Sequence, residues 1–266
     1  MATKTEIKKW IKEITTPVLK PYGYKFGPVK EFGNALAFYK KTDIDFAYIL
    51  VDIYRDHELQ FGGIDYANLK LKEKLFEITN NKELISEDDS IIYLPETDPY
   101  YEYVKKRDFS FNQIITSKEQ LQDYLQPLLD QFDRNVELVK HYKYIPNLLQ
   151  KWEEVQAIYE KTGNYEVISQ YFPSPFIRHF IFYLLNITEN GDSSKMYEDT
   201  ILYFKNLIET YKNNNANLSN TFKNRLFTFK KIKTYFDTLN KEEFTQLQEE
   251  FAPFLIDPKT DVSDIV

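Results

Sequence analysis

The chain has 266 residues and a net charge of −7, with 42% hydrophobic and 28% charged residues, the make-up of one large folded domain or two small ones. Its lack of cysteine excludes disulfides, thiolate catalysis, zinc–thiolate sites and iron–sulfur clusters. No apolar run approaches the roughly 18 residues of a transmembrane helix, and the opening MATKTEIKKW has no signal-peptide core, so a cytoplasmic protein with no membrane association is expected.

The first element is an amphipathic helix. Ile7, Trp10, Ile11, Ile14, Val18 and Leu19 fall on one face, and Thr3 and Glu6 have capping-box spacing. Pro21 and Gly23 stop it. Strands are predicted over Tyr24–Phe26, Ala35–Lys41, Ile44–Tyr54 and Glu58–Ile64, an antiparallel meander with turns at Gly33-Asn34 and Thr42-Asp43. Ile44, Phe46, Tyr48, Leu50 and Tyr54 make one side of the third strand apolar, and Ala47, Ile49, Val51 and Ile53 the other, which predicts a central strand covered on both faces. Gly62-Gly63 marks a bulge or a close backbone approach. A short helix is expected over Leu69–Ile78, then strands at Ile91–Leu94 and Phe109–Ile115, with Pro95 and Pro99 between them in a loop or at an edge.

Near residue 116 the pattern becomes helical. Ser117 and Gln120 repeat the capping-box spacing, and Leu121, Tyr124, Leu125, Leu128, Leu129 and Phe132 follow at helical intervals. Further helices are predicted from Pro146 to Gly163, over Tyr165–Phe172, Phe176–Ile187, Ser194–Tyr211 and Leu218–Leu239, and around Phe244, Leu247 and Phe251. The fold class expected is α+β: a helix and β-meander domain over residues 1–116, a helical half over 117–256 and a frayed tail over 257–266.

Catalytic signatures are absent. No HExxH, GxSxG, phosphate-loop or dinucleotide fingerprint occurs, and no cofactor, metal or catalytic residue is assigned. Asp52, Asp56, His57 and Glu58 have metal-ligating side chains, but neighbours on a strand point to opposite faces, and a solvated hairpin turn is the simpler reading. A nuclease built on Asp52 and Glu58 lacks its lysine, since Gln60 stands two places after Glu58. His141 is expected on a helix surface and His179 at a helix interface.

Charge is unevenly placed. Glu83, Glu87, Asp88, Asp89, Glu96, Asp98 and Glu102 lie between residues 83 and 104 with no basic residue among them, interleaved with Tyr93, Tyr100, Tyr101 and Tyr103. Exposed charge pairs contribute only about 0–1 kcal/mol each, so stability explains such a segment poorly. A partner surface explains it better: carboxylates steer in a basic protein and tyrosines anchor it, with Glu87, Asp88, Asp89, Tyr93, Asp98, Tyr100 and Tyr101 as the candidate contacts. From Thr210 to Phe236 the sign reverses, with Lys212, Lys223, Arg225, Lys230, Lys231 and Lys233 and no acid. Phe222, Leu226, Phe229, Ile232 and Phe236 form the buried stripe of that helix, and Lys223, Arg225, Lys230, Lys231 and Lys233 are the candidate nucleic-acid contacts. A pI near 5.2 places this second reading below the first.

Trp10 to Leu19, followed by Lys20-Pro21-Tyr22-Gly23-Tyr24-Lys25-Phe26, resembles the opening of a bacterial family of domains of unknown function. In that family a helix leads through a Leu-x-Pro-x-Gly-Phe/Tyr-x-Phe turn into an aromatic meander. Ala37-Phe38-Tyr39-Lys40, Ile49-Leu50-Val51-Asp52 and Ser117–Leu121 fit its later elements, so the resemblance covers at most residues 4–150, and the helical second half departs from the family's short pattern. Some relatives are similar to immunity proteins encoded beside polymorphic toxins, and the family supplies no catalytic residue. The expected function is a non-catalytic binding module, an immunity or antitoxin-like inhibitor of a basic toxin domain. The alternative is a nucleic-acid-associated protein, such as a phage-defence component, and a metal-dependent enzyme ranks third.

Overall fold

The computed structural model describes residues 2–30, 33–54, 58–81, 90–101, 113–164, 166–185 and 192–255. The architecture is α+β, an N-terminal helix, an antiparallel sheet and a helical C-terminal half. By internal contacts the chain forms two units, Met1–Leu69 with Ser90–Pro173, and Lys70–Asp89 with Ser174–Val266. The break expected at residue 116 thus falls inside the first unit.

Helix α1 (Lys4–Leu19) opens on the expected capping box, in which Thr3 Oγ1 accepts from the Glu6 N–H and Glu6 Oε2 accepts from the Thr3 N–H. Ile7, Ile11 and Leu19 are fully buried, each contributing about 1.5–3 kcal/mol by leaving water. The helix closes through a 3₁₀ turn (Lys20–Tyr22) onto Gly23, whose φ of 78° is left-handed. Tyr24 N–H bonds to Leu19 O and Gly23 N–H to Lys20 O, a Schellman pair that satisfies carbonyls the helix leaves open.

Strands β1 (Lys25–Val29), β2 (Ala35–Lys41), β3 (Asp45–Tyr54) and β4 (Glu58–Phe61) follow as the expected antiparallel meander. The last predicted strand ends early, at Phe61, and Ile64 begins a separate strand, β5 (Ile64–Asn68). Both lie along the same edge of β3. Val51 faces Phe61, whereas Tyr48 faces Asp65, so Gly62-Gly63 inserts one extra residue into the ladder. The glycine pair also marks a close approach: a Cβ on Gly63 would lie 2.3 Å from Leu94 O. β6 (Ile92–Leu94) pairs with β5, and β7 (Gln113–Ile114) pairs with β4. Gly63 N–H donates to Tyr93 Oη (3.0 Å) and Ile64 N–H to Thr97 Oγ1 (2.7 Å), so two amides freed by the bulge find side-chain partners.

The bulge reverses which side chains face inward. Leu59 and Phe61 are buried before it, Ile64 and Tyr66 after it. On the inner face of the sheet, with Phe38, Ile49 and Val51 also buried, lies α3 (Lys118–Asp130), whose Tyr124 meets Phe61 and donates to Leu59 O. On the outer face Val29, Ala37, Phe46, Tyr48 and Ala67 form a second cluster. Double coverage of β3 therefore holds only over its first half, for Leu50, Asp52 and Tyr54 are exposed.

Ser117 caps α3 by accepting from Gln120 N–H, but the Gln120 side chain reaches back to Thr116 N–H rather than to Ser117. The helix expected through Phe132 breaks at Gln131, and α4 (Phe132–Tyr142) begins there with Phe132 and Val136 buried. α5 (Ile145–Thr162) stops at Gly163, φ 66°, as expected, and α6 (Glu166–Tyr171) ends the first unit's helices.

The second unit contains α2, a helix of Leu69–Thr79 whose residues from Lys70 onward belong to it. With it are α7 (Pro175–Leu184), α8 (Asp192–Tyr211), α9 (Ala216–Thr238) and α10 (Lys241–Leu255). Every residue of α7 after Pro175 is buried. Phe180 packs edge-on against Phe236 and Phe251, and Tyr197 stacks on Phe229, so aromatic contacts from α7, α8, α9 and α10 build this core.

Candidate interaction surfaces

The acidic–tyrosine segment is described from Ser90 to Tyr101, while Glu87, Asp88 and Asp89 lie outside the described residues. Its middle is a structural anchor. Tyr93 Oη is held by Gly63 N–H, and burial pushes the phenol up to about 12 against that bond. Tyr100 stacks on Tyr124 with ring centroids 4.8 Å apart and donates to Tyr124 O, while Tyr101 donates to Gln170 Oε1 (3.2 Å). Gln131 and Asn135 side chains both donate to Thr97 O. Asp98 is 6% exposed and accepts from Tyr100 N–H at 2.8 Å. Burial pushes its carboxyl up to about 6, and that hydrogen bond offsets only part of the effect. Tyr93, Asp98, Tyr100 and Tyr101 are therefore committed to holding β6 and the following turn against the sheet and helices of the first unit.

An open acidic and aromatic surface lies instead on the outer face of the sheet. Tyr54 pairs with Glu58, which pairs with Ile114, so these three form one cross-strand row. The next row pairs Asp52 with Gln60, and the next places Leu50 beside Ala37. Tyr54 and Ile114 are each 47% exposed and Leu50 37%. Tyr54 Oη donates to Asp52 Oδ2 (3.3 Å), and the Asp52 carboxylate raises the phenol above its ordinary value. The sequence carried a signal of this surface. Asp52 interrupts the apolar run on one side of β3, and a carboxylate in that phase requires water on that face.

The basic helix is α9. Lys231 Nζ donates to Thr79 O (2.7 Å), the carboxyl end of α2, where a cation meets the negative pole of the helix. Lys233 is paired with Asp237, and the Nε of Arg225 is buried without a hydrogen-bond partner. Lys223 and Lys230 remain exposed. Of the five candidate phosphate contacts, Lys231 and Lys233 are thus engaged within the fold, Arg225 is half-buried, and Lys223 and Lys230 face water.

No family model, no curated protein and no solved structure matches the chain. The chemistry is therefore read from the side chains themselves. Among the described residues no group of three or more His, Asp or Glu is placed to hold a metal ion, and no helix is long and apolar enough to cross a membrane. Asp56 and His57 lie outside the described residues. His141 is exposed beside Asn147, and His179 is 1% exposed, with Nε2 3.2 Å from Thr200 Oγ1. Burial and the neighbouring Arg178 hold the His179 imidazole well below its ordinary pKa, so it is a neutral packing group against Phe229.

Proposed function

We propose that the protein is a non-catalytic, cytoplasmic protein-binding module, an immunity or antitoxin-like inhibitor that covers a basic surface on a toxin domain. The observation that carries this reading is the exposed sheet face, where Tyr54, Leu50 and Ile114 stand beside Asp52 and Glu58. A rigid sheet presents these side chains with little ordering cost on binding. A tyrosine anchor and two aliphatic side chains rimmed by carboxylates fit a lysine- and arginine-rich partner. Glu87, Asp88 and Asp89, directly before the anchored Ser90–Tyr101 segment, add to the acidic side of the same reading. The resemblance of the chain's opening to a family with immunity-like members points the same way.

The test is co-purification with the product of the adjacent gene, together with protection of cells that express that product. Tyr54→Ala is expected to weaken the complex by about 2 kcal/mol, close to 30-fold in Kd. Asp52→Lys, and separately Glu87, Asp88 and Asp89→Lys, are expected to slow association and flatten its dependence on salt. Binding and protection that survive all three changes would sink the proposal. The nucleic-acid reading is weakened by the internal use of Lys231 and Lys233 and narrows to the exposed part of α9.

A further inference from the structure

Among the described residues, the largest exposure of a large hydrophobic side chain belongs to Phe227, at 61%. It lies on α9 off the buried stripe, one residue beyond Leu226, and its position relative to the lysines is specific. Lys223 is four residues before it and Lys230 three after it, so the three side chains share one face of the helix, and both lysines are exposed. The two ammonium groups are attached about 10 Å apart along the helix axis with the ring between them. A third lysine prepares the ring. Lys231 Nζ sits 4.9 Å from the Phe227 centroid while it caps Thr79 O, which holds a fixed cation over a ring that is still mostly exposed to water.

Along α9 up to Phe236 the charge is of one sign. No acid occurs from Thr210 to Phe236. Lys223 Nζ meets a neutral partner, Asn220 Oδ1, at 3.3 Å. Among the described residues of neighbouring stretches, Glu209 is paired with Lys212, Glu77 with Lys74 and Asp237 with Lys233. A cation, an exposed aromatic ring and a second cation in line match a polymer that alternates phosphate, base and phosphate. Stacking on one ring is tolerant of sequence because every base has a π face, and the flanking ammonium groups neutralise the phosphates on either side. An acidic peptide would satisfy the lysines but has no flat group to use the ring. A duplex keeps its bases stacked on each other and offers the ring nothing.

We infer that the Lys223–Phe227–Lys230 face of α9 is a stacking platform for single-stranded nucleic acid. This site lies in the second unit and does not depend on the proposed partner surface of the sheet. The experiment is fluorescence anisotropy of the full chain with labelled twelve-residue oligo(dT) and oligo(U), across a salt series beginning at low ionic strength. Phe227→Ala is expected to weaken binding between about 5- and 150-fold, the range for loss of one base–aromatic stack, and Phe227→Trp to preserve it. Lys223→Gln with Lys230→Gln is expected to flatten the plot of log K against log salt by about 1.4, two phosphate contacts in a single strand. Circular dichroism checks that each variant keeps its helix content. Absence of wild-type binding at low salt overturns the inference. So does equal binding by Phe227→Ala, equal affinity for a duplex of the same length, or displacement by polyglutamate at matched charge, which would make the strip a site for acidic protein.

Discussion

Asp98→Asn removes a buried carboxyl and should change how the stability of the first unit depends on pH. Asp98 is 6% exposed, and burial raises its carboxyl from 3.8 to about 6. Between those values the folded chain holds a proton that the unfolded chain has released. Stability therefore falls as pH rises through this window, and above it the native state carries a constant cost of about 3 kcal/mol from this one group. Asparagine is neutral throughout, and its Oδ1 still accepts from Tyr100 N–H, so the turn keeps the hydrogen bond seen at 2.8 Å. Any fixed cost of the new amide N–H₂ is the same at all pH values. The stability of Asp98→Asn relative to wild type should then rise by about 2 kcal/mol from about pH 4 to about pH 8. The assay is urea unfolding followed by tryptophan fluorescence. Both tryptophans, Trp10 and Trp152, belong to the first unit, so the signal reports this unit and not the other. Other carboxylates titrate in both proteins and cancel in the difference. Parallel pH profiles for the two proteins would refute the account of Asp98 as a buried, raised carboxyl.

Gly63→Ala would drive a methyl group to 2.3 Å from Leu94 O, a backbone atom that cannot swing aside, and should cost about 3 kcal/mol in the same fluorescence assay. Gly27→Ala, with open space at its Cβ, is the matched control and should cost well under half as much. Thr97→Val strands the buried Ile64 N–H, now held by Thr97 Oγ1 at 2.7 Å, and should cost about 1–3 kcal/mol, with faster amide exchange at Ile64 as its local mark. Lys231→Met removes the cation at the carboxyl end of α2 and should cost about 0.3–1 kcal/mol, read as faster exchange in the last turn of α2 while α10 is unaffected.

Local signals in the sequence carried the elements well. Thr3 and Glu6, Gly23 and Gly163 each act within a turn of helix, so their partners are visible a few residues away. The break at Gln131 between α3 and α4 has no glycine or proline at it and no such signal. Gly62-Gly63 was legible as a special position, yet its consequence was not. The reversal of inward and outward side chains depends on the ladder with β3 and on Leu94, about thirty residues away. The tyrosines of the acidic segment look free in sequence because nothing adjacent claims their hydroxyls. Tyr93 is claimed by Gly63, Tyr100 by Tyr124 and Tyr101 by Gln170, all distant in the chain.

The two surfaces share one property, which is that their key side chain is a ring that the cover over its own element does not reach. On β3 the phase that buries Phe46 and Tyr48 continues to Leu50 and Tyr54, but Asp52 between them shows that the cover has ended. On α9 the stripe of Leu226, Phe229 and Ile232 accounts for the core, and Phe227 lies about 100° away from Leu226 around the helix. An aromatic ring held in water at such a place gains nothing from burial in its own fold, and its surroundings set what it suits. Carboxylates beside Tyr54 favour a basic partner, lysines beside Phe227 an anionic one. The charge complement of the two sites is opposite, so a single ligand does not fit both. Tyr54→Ala should therefore leave oligonucleotide affinity unchanged, and Phe227→Ala should leave the protein complex intact. A variant at either residue that abolished both activities would show that the two surfaces are not separate sites.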